Sequence, residues 1–130
     1  MTEQDVIAIE RACHRLILDF AYFSDHREYE SLGALFTLDG TMTRPSGNFL
    51  TGRDAIVKSY QASPKHRVTR HICSNIRVTA ESSDSARALT YAVVYATNED
   101  PRVGEFEDEF RRTKEGWRIS TRIARFMIGK

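Results

Sequence analysis

Apolar residues recur at helical spacing through the N-terminal half of the chain. One stripe runs from residue 2 to about residue 24, and apolar positions three or four apart share one side of a helix. A second stripe predicts a helix from residue 27 to about 38, which the turn signal Asp39-Gly40 ends. A third predicts a helix from residue 53 to about 62, stopped by Pro64. The N-terminal half is therefore expected to be mainly helical.

The spacing changes to that of strands in the C-terminal half. Residues 41–44 and 48–50 first predict a small hairpin around Pro45-Ser46-Gly47. Long extended segments follow over residues 67–80, 86–97, 103–113 and 117–128. Their short connectors predict an antiparallel meander. Helices first and strands later indicate an α+β fold, with three N-terminal helices packed against the sheet. We expect one domain over residues 1–130.

Charge and composition narrow the class of protein. The net charge is +1, from 19 basic and 18 acidic side chains, so nothing favours nucleic acid or an anionic membrane as a partner. The first residues are charged and no apolar run reaches membrane-spanning length. Cys13 and Cys73 are too few for a disulfide framework. We expect a cytoplasmic protein with reduced thiols.

A cavity is expected where helices cover only part of a long twisted sheet, and such cavities bind small molecules. Strand alternation places His71 with Thr69, Cys73, Asn75 and Arg77 on the more polar face of its strand. A small, mixed set of hydrogen-bonding groups is typical of a lined cavity. Histidine titrates near neutrality but is also common as a structural residue, so both roles stay open for His71.

Asp25 follows the first apolar helix at a bend. Asp is a good N-cap, and local sequence favours that role for Asp25 at the start of the second helix. The alternative is that it accepts a hydrogen bond from His71. A carboxylate on one imidazole nitrogen fixes the tautomer and leaves the other nitrogen as a base. Such a pair suits proton abstraction next to a carbonyl or a leaving group.

Metal and cofactor motifs are absent from the sequence. The four histidines show no H-x-x-x-H spacing, and the two cysteines are 60 residues apart. There is also no Gly-rich phosphate loop and no G-x-S-x-G motif. We therefore expect neither a metal nor a cofactor.

Several short motifs resemble those of SnoaL-like domains, which belong to the nuclear transport factor 2-like superfamily. Residues 25–40, with the sequence DHREYESLGALFTLDG, resemble the family's signature for its second helix. A helix start resembles GRDAI at residues 52–56, and a strand motif resembles TRHICSN at residues 69–75. The closing hairpin resembles FEDEF at residues 106–110 and GWRI at residues 116–119, followed by Arg122. The resemblance spans nearly the whole chain, with its elements in the family's order.

The resemblance implies a strongly curved, mostly antiparallel sheet wrapped around three helices, forming a cone with a pocket. In relatives such as scytalone dehydratase, a His–Asp pair in the cone removes a proton without metal or cofactor. Asp25 and His71 stand at the matching positions. The implied function is a lyase (dehydratase) or isomerase acting on a small hydrophobic carbonyl or cyclic compound, polyketide- or steroid-like. The family also implies a homodimer through the outer sheet face.

Further residues are expected around the pocket. Several family enzymes have a substrate-polarising tyrosine where this chain has Phe20. The expected substrate-binding residues are Phe20, Tyr22, Cys73, Tyr91 and Tyr95. Asp108 and Arg122 match family positions and are expected to form a structural ion pair across the last hairpin.

Two other functions remain open at this stage. Phe20 favours a non-catalytic small-molecule-binding or assembly module of the same fold. The small subunit of a ring-hydroxylating oxygenase has a similar fold and ranks last, because those chains are usually longer.

Overall fold

The computed structural model describes residues 1–129 and shows an α+β fold of three helices and six strands. The helices are α1 (Glu3–Asp25), α2 (Tyr29–Gly33) and α3 (Arg53–Gln61). The strands are β1 (Phe36–Thr43), β2 (Phe49–Thr51), β3 (Thr69–Ala80), β4 (Ser85–Ala96), β5 (Arg102–Thr113) and β6 (Gly116–Ile128). They form one curved, unclosed sheet in the order β2-β1-β6-β5-β4-β3. The predicted fold class is confirmed.

The predicted meander of four long strands is present, and β3 lies at one edge of the sheet. Strands β3 to β6 pair antiparallel with their neighbours in sequence. The predicted hairpin of β1 and β2 is also present, and it adds to the other end of the sheet. The pairing of β1 with β6 is parallel, which the sequence pattern did not predict. The sheet is therefore mixed.

The second helix is much shorter than predicted. Helix α2 ends at Gly33, and β1 takes up the following residues, so Asp39-Gly40 lies inside a strand. Helical spacing is satisfied here by accident, because a short apolar run fits a buried strand equally well. The strand is fixed by β6, beginning where the Ile119 N–H donates to the Leu35 carbonyl at 2.8 Å. The prediction of a helix to about residue 38 was wrong.

Helix α1 confirms the first prediction and positions the future site. A capping box begins it: the Thr2 hydroxyl accepts from the Asp5 N–H, and the Asp5 carboxylate accepts from the Thr2 N–H. The buried stripe then faces the sheet to the end of the helix. Its members are Ile9, Cys13, Leu16, Ile17, Phe20, Ala21 and Ser24. Asp25 is the last helical residue and therefore lies where the helix meets the sheet.

A bulge in β3 changes which of its side chains point towards the helices. The register with β4 shifts between Ser74 and Arg77, and Asn75 has a φ of 50°. An extra residue in one strand inverts the alternation beyond it, and Asn tolerates the left-handed region better than most residues. His71 is therefore partly buried, whereas Asn75 and Arg77 are exposed. The prediction that these three share one face was wrong from the bulge onwards.

The core fills the space between the helices and the inner face of the sheet. Its largest apolar members are Phe20, Phe36, Phe110, Ile17, Leu32, Met42, Ile56 and Ile119, each under 2% exposed. In the described residues, no helix is long and apolar enough to cross a membrane.

Candidate functional site

A pocket opens between the end of α1, the C-terminal end of α3 and the inner face of β3 to β6. The cavity itself has a volume of about 90 Å³, and the empty space counted out to its solvent-open mouth is about 800 Å³. Buried apolar residues form one part of the lining: Phe20, Ala92, Val94, Phe106 and Ala124. Half-exposed arginines form another part: Arg27, Arg44, Arg67 and Arg125. Asp25 and His71 also line the pocket.

Asp25 and His71 are in direct contact. Asp25 Oδ1 lies 2.6 Å from His71 Nδ1, with the side chains only 7% and 13% exposed. Oδ2 accepts the His71 backbone N–H at 2.9 Å, and Oδ1 also accepts the Thr69 hydroxyl at 2.9 Å. Because β3 is an edge strand, backbone N–H groups on its outer side have no neighbouring strand to bond. The carboxylate at the end of α1 fills that role and fixes the imidazole.

Opposing effects act on the pKa of the Asp25 carboxyl. Burial raises it, but hydrogen bonds from the His71 ring and backbone, the charge of a protonated ring and the Thr69 hydroxyl together hold the pKa below its ordinary value. An ionised Asp25 can only accept hydrogen bonds, so Nδ1 of His71 carries the proton. In the neutral ring, Nε2 then presents its lone pair. Nε2 forms no hydrogen bond with the described residues.

Phe20 lies in the apolar part of the pocket. It is 1% exposed and packs edge to face against Tyr60 and Phe106, with ring centroids 5.8 and 6.0 Å away. A tyrosine hydroxyl is thus missing from this point. Tyr60 does not supply it, because its own hydroxyl donates to the buried Met42 sulfur at 3.8 Å. The pocket wall here is purely hydrophobic.

Three predicted lining residues lie elsewhere. Tyr91 and Tyr95 are 50% and 47% exposed on the outer face of β4, because the alternation turns Ala92 and Val94 inward instead. Tyr22 is 53% exposed and stacks on the His26 ring at 4.1 Å between centroids. The prediction that these three tyrosines line the pocket was wrong.

The cysteines have no position or chemistry that suggests a nucleophile. Cys73 packs against the core next to the pocket rather than in its lining, which corrects its predicted place. Burial raises the pKa of the Cys73 thiol. Burial, with a smaller effect of Asp108, raises the pKa of the Cys13 thiol to about 12. Both thiols stay protonated near neutral pH, and the thiolate is the reactive form.

Asp108 and Arg122 form the ion pair that the sequence predicted across the last hairpin. Arg122 Nε and Nη2 donate to the two carboxylate oxygens at 2.7 and 2.8 Å, and both side chains are 0% exposed. The Arg122 guanidinium carbon lies 4.3 Å from the ring centroid of Phe20 and 4.0 Å from that of Phe106. Arg122 therefore lies behind two rings that line the pocket and is not itself part of the lining.

The arginines of the lining escaped sequence reasoning. Arg27, Arg44 and Arg67 lie in connecting segments, where periodicity gives no information on direction. Arg27 has one signal, its position two residues after Asp25. Within residues 1–129, no group of three or more His, Cys, Asp or Glu side chains is placed to hold a metal ion.

Residues 5–123 match the family of SnoaL-like domains. No curated protein matches the chain significantly.

Solved structures share the fold at low identity. A candidate scytalone dehydratase from Novosphingobium aromaticivorans is 23% identical, with a TM-score of 0.83 over 94% of this chain and 86% of that one. A hexachlorocyclohexane dehydrochlorinase from Novosphingobium barchaimii is 16% identical, with a TM-score of 0.87 over 99% and 93% of the two chains. A nuclear transport factor 2-like protein with a cystatin-like fold, from Novosphingobium aromaticivorans, is 24% identical, with a TM-score of 0.81 over 95% and 86%. These likenesses show the fold alone.

Proposed function

Because the chain belongs to the family of SnoaL-like domains, we propose that it is a cofactor-independent lyase (dehydratase) or isomerase. Its substrate is a small hydrophobic carbonyl or cyclic compound. His71 is the general base and Asp25 orients it. The proposal rests on an open pocket that His71 lines, with Nδ1 of its ring hydrogen-bonded to Asp25. Two structures of the same fold carry names of elimination enzymes, a dehydratase and a dehydrochlorinase.

The reaction needs one base and a place for the proton. Nε2 of His71 takes a proton from the carbon next to the substrate carbonyl, and the electron pair of the C–H bond forms the new double bond. In a dehydration the β-hydroxyl leaves, and the imidazolium returns its proton to give water. In an isomerisation the same proton returns to another carbon. Asp25 stays ionised and stabilises the imidazolium through its 2.6 Å contact.

The geometry also favours this function over a non-catalytic module. A binding module would need no fixed tautomer, yet Asp25 accepts three hydrogen bonds that hold the His71 ring and its strand. A pocket closed by Phe20 and tyrosine side chains would favour the module. Here Phe20 lines the open space, and Tyr91 points away from it.

The proposal is tested with a panel of cyclic β-hydroxyketones in D₂O. The wild-type protein should produce an α,β-unsaturated ketone, seen by absorbance, and exchange the α-proton of the substrate, seen by NMR. His71→Ala should remove both activities while its circular dichroism stays native, and the exposed His14→Ala serves as the matched control. Turnover that survives in His71→Ala would sink the proposal. A wild-type protein that binds these compounds without turnover would favour the module.

Assembly and location form a second part of the proposal. The outer sheet face carries Ile72, Leu89, Tyr91, Tyr95 and Val103, each between 36% and 54% exposed. Such a face favours contact with a second copy, so we expect a homodimer. Separately, we expect the protein to be in the cytoplasm, where its two thiols would stay reduced. Light scattering at the mass of a monomer would contradict the dimer.

A further inference from the structure

The charges around the pocket do not balance. Asp25 contacts His71, Glu105 contacts Arg125, and Arg67 contacts Glu99. Arg27 and Arg44 have no carboxylate within 4.0 Å among the described residues. The whole chain carries a net charge of only +1, so two unpaired cations in one pocket lining are a local excess.

Arg27 is held in an unusual conformation. Its φ of 59° lies in the left-handed region, which non-glycine residues rarely adopt. Its Nη2 and Nη1 donate to the carbonyls of Ser63 and Pro64 at 2.9 and 3.2 Å. These contacts fix the guanidinium at the pocket. They use two of its five N–H donors, which leaves others for a ligand.

Arg44 contacts the same pair of tyrosine rings that Arg27 contacts. Its guanidinium carbon is 4.1 Å from the Tyr60 ring centroid, and the Tyr29 and Tyr60 centroids are 5.9 Å apart. The guanidinium carbon of Arg27 is 5.5 Å from the Tyr29 centroid. All four residues line the pocket.

We infer that the pocket binds an apolar monocarboxylate, with the ligand carboxylate on Arg27 and Arg44 and the apolar body against Phe20 and Phe106. This inference deepens the proposed function by naming the chemical class of the ligand. It rests on the proposed function only for the view that this ligand is the substrate. Guanidinium groups bind carboxylates through strong charge-assisted hydrogen bonds. A single negative charge fits better than a dianion, because the carboxylates of Asp25 and Glu105 line the same pocket.

A purely structural role explains only part of this arrangement. Both arginines donate hydrogen bonds to carbonyls near the C-terminal end of α3, and Arg44 also donates to the Ser59 hydroxyl. Cations are stabilised at helix C-termini, which accounts for part of their placement. However, all contacts of Arg44 with Ser59 come from Nη1 alone. Its Nε and Nη2 make no hydrogen bond with the described residues. Two partly exposed guanidinium groups, fixed by other contacts and with donors to spare, are preorganised for an anion.

The test compares 2-naphthoate with 2-naphthamide, which have nearly the same shape and differ in charge. Isothermal titration calorimetry should show the carboxylate binding the wild-type protein about tenfold or more tightly than the amide. In Arg27→Gln/Arg44→Gln the preference should shrink to about twofold or less, while the amide affinity stays the same. Arg111→Gln is the matched control, since that exposed arginine pairs with Asp39 outside the pocket.

Equal affinity of the wild-type protein for both compounds would overturn the inference. So would failure to bind the carboxylate, or a preference that survives in the double variant. If the double variant does not fold, Arg27→Lys and Arg44→Gln are tested singly, and each should lose part of the preference. The same titration in His71→Ala separates this inference from the proposed function. A carboxylate preference there, together with a wild-type protein that never turns over a ketone, keeps the binding site and rejects the lyase.

Discussion

Two carboxylates of this chain each make a short contact with a basic side chain, but their surroundings differ. Asp25 meets His71 at 2.6 Å beside an open pocket, and both side chains keep some exposure. Asp108 meets Arg122 at 2.7 and 2.8 Å with 0% exposure for both, behind the rings of Phe20 and Phe106. The first pair lies at the end of α1 and the second lies under the pocket wall.

The difference lies in what each pair can do with a proton. Arginine stays protonated in proteins, so the Asp108–Arg122 pair is a permanent ion pair and cannot act as a base. Histidine as a residue type gains and loses its proton near neutral pH. Of the two pairs, only the one that contains His71 lies where a substrate in the pocket could reach it. Short contacts alone therefore do not identify a catalytic pair. Burial and the identity of the basic side chain decide, and on that ground we propose catalysis for the first pair and a structural role for the second.

The largest effect is expected from Asp108→Asn. The substitution leaves the Arg122 charge buried without its counter-charge, which should lower the free energy of unfolding by about 3–5 kcal/mol. Urea unfolding measures this, with Glu107→Gln as the control because Glu107 is 54% exposed on the same strand. The control should stay within about 0.5 kcal/mol of wild type. A loss below about 1 kcal/mol in Asp108→Asn would remove the contrast between the two pairs.

Asp25→Asn should be less damaging to stability. Its carboxylate accepts three hydrogen bonds, and the amide keeps the oxygen but loses the charge. We expect a loss of about 1–3 kcal/mol by urea unfolding, together with a large loss of turnover. The exposed Asp100→Asn is the control. A variant that is as active as the wild type would show that Asp25 does not orient the base.

The stabilising effect of Asp25 should depend on pH. Since its pKa is lowered in the folded chain, its contribution is present above the unfolded pKa of about 3.9 and is lost as pH falls through the folded value. The difference in unfolding free energy between wild type and Asp25→Asn should therefore shrink as pH falls below about 4. Unfolding curves across this range measure it. A difference that stays constant would mean that the carboxylate is not stabilised in its ionised form.

The smallest effect is expected from Thr69→Val. It removes the hydroxyl that donates to Asp25 at 2.9 Å and keeps the side-chain shape, which should cost about 0.5–1.5 kcal/mol. Because that hydrogen bond lowers the pKa of Asp25, the variant should also raise it, as seen by NMR titration of the carboxyl carbon. Thr79→Val, exposed on the same strand, controls for β-propensity. An unchanged Asp25 pKa would contradict the assigned hydrogen bond.

Much of the fold could be predicted from sequence because it is local. The capped stripe of α1 and the alternation of β4 to β6 repeat over many residues. The parallel pairing of β1 with β6 joins segments about 80 residues apart, and no local pattern contains it. The single-residue bulge at Asn75 inverted the predicted face for the same reason. It depends on how one edge strand fits its neighbour.

The same distinction applies to the candidate site. Asp25 and His71 could be proposed because a polar strand face and a helix end are local signals, supported by a family resemblance. Arg27 and Arg44 were missed because each stands at the end of a predicted element, and in the structure both lie in connecting segments, where spacing does not fix the direction of a side chain. Tyr91 was misplaced because a half-buried strand has two faces and its sequence does not label the one next to the helices.

The most direct test of the central claim measures turnover and stability together in His71→Gln. The claim is that His71, held by Asp25, is the base of the pocket, whereas Asp108–Arg122 only supports its wall. We predict that kcat/KM for ketone dehydration falls about 10²–10⁴-fold, while the free energy of unfolding stays within about 1 kcal/mol of wild type. The exposed His14→Gln should change neither. Undiminished turnover in His71→Gln, or a loss of turnover that merely follows unfolding, would contradict the account.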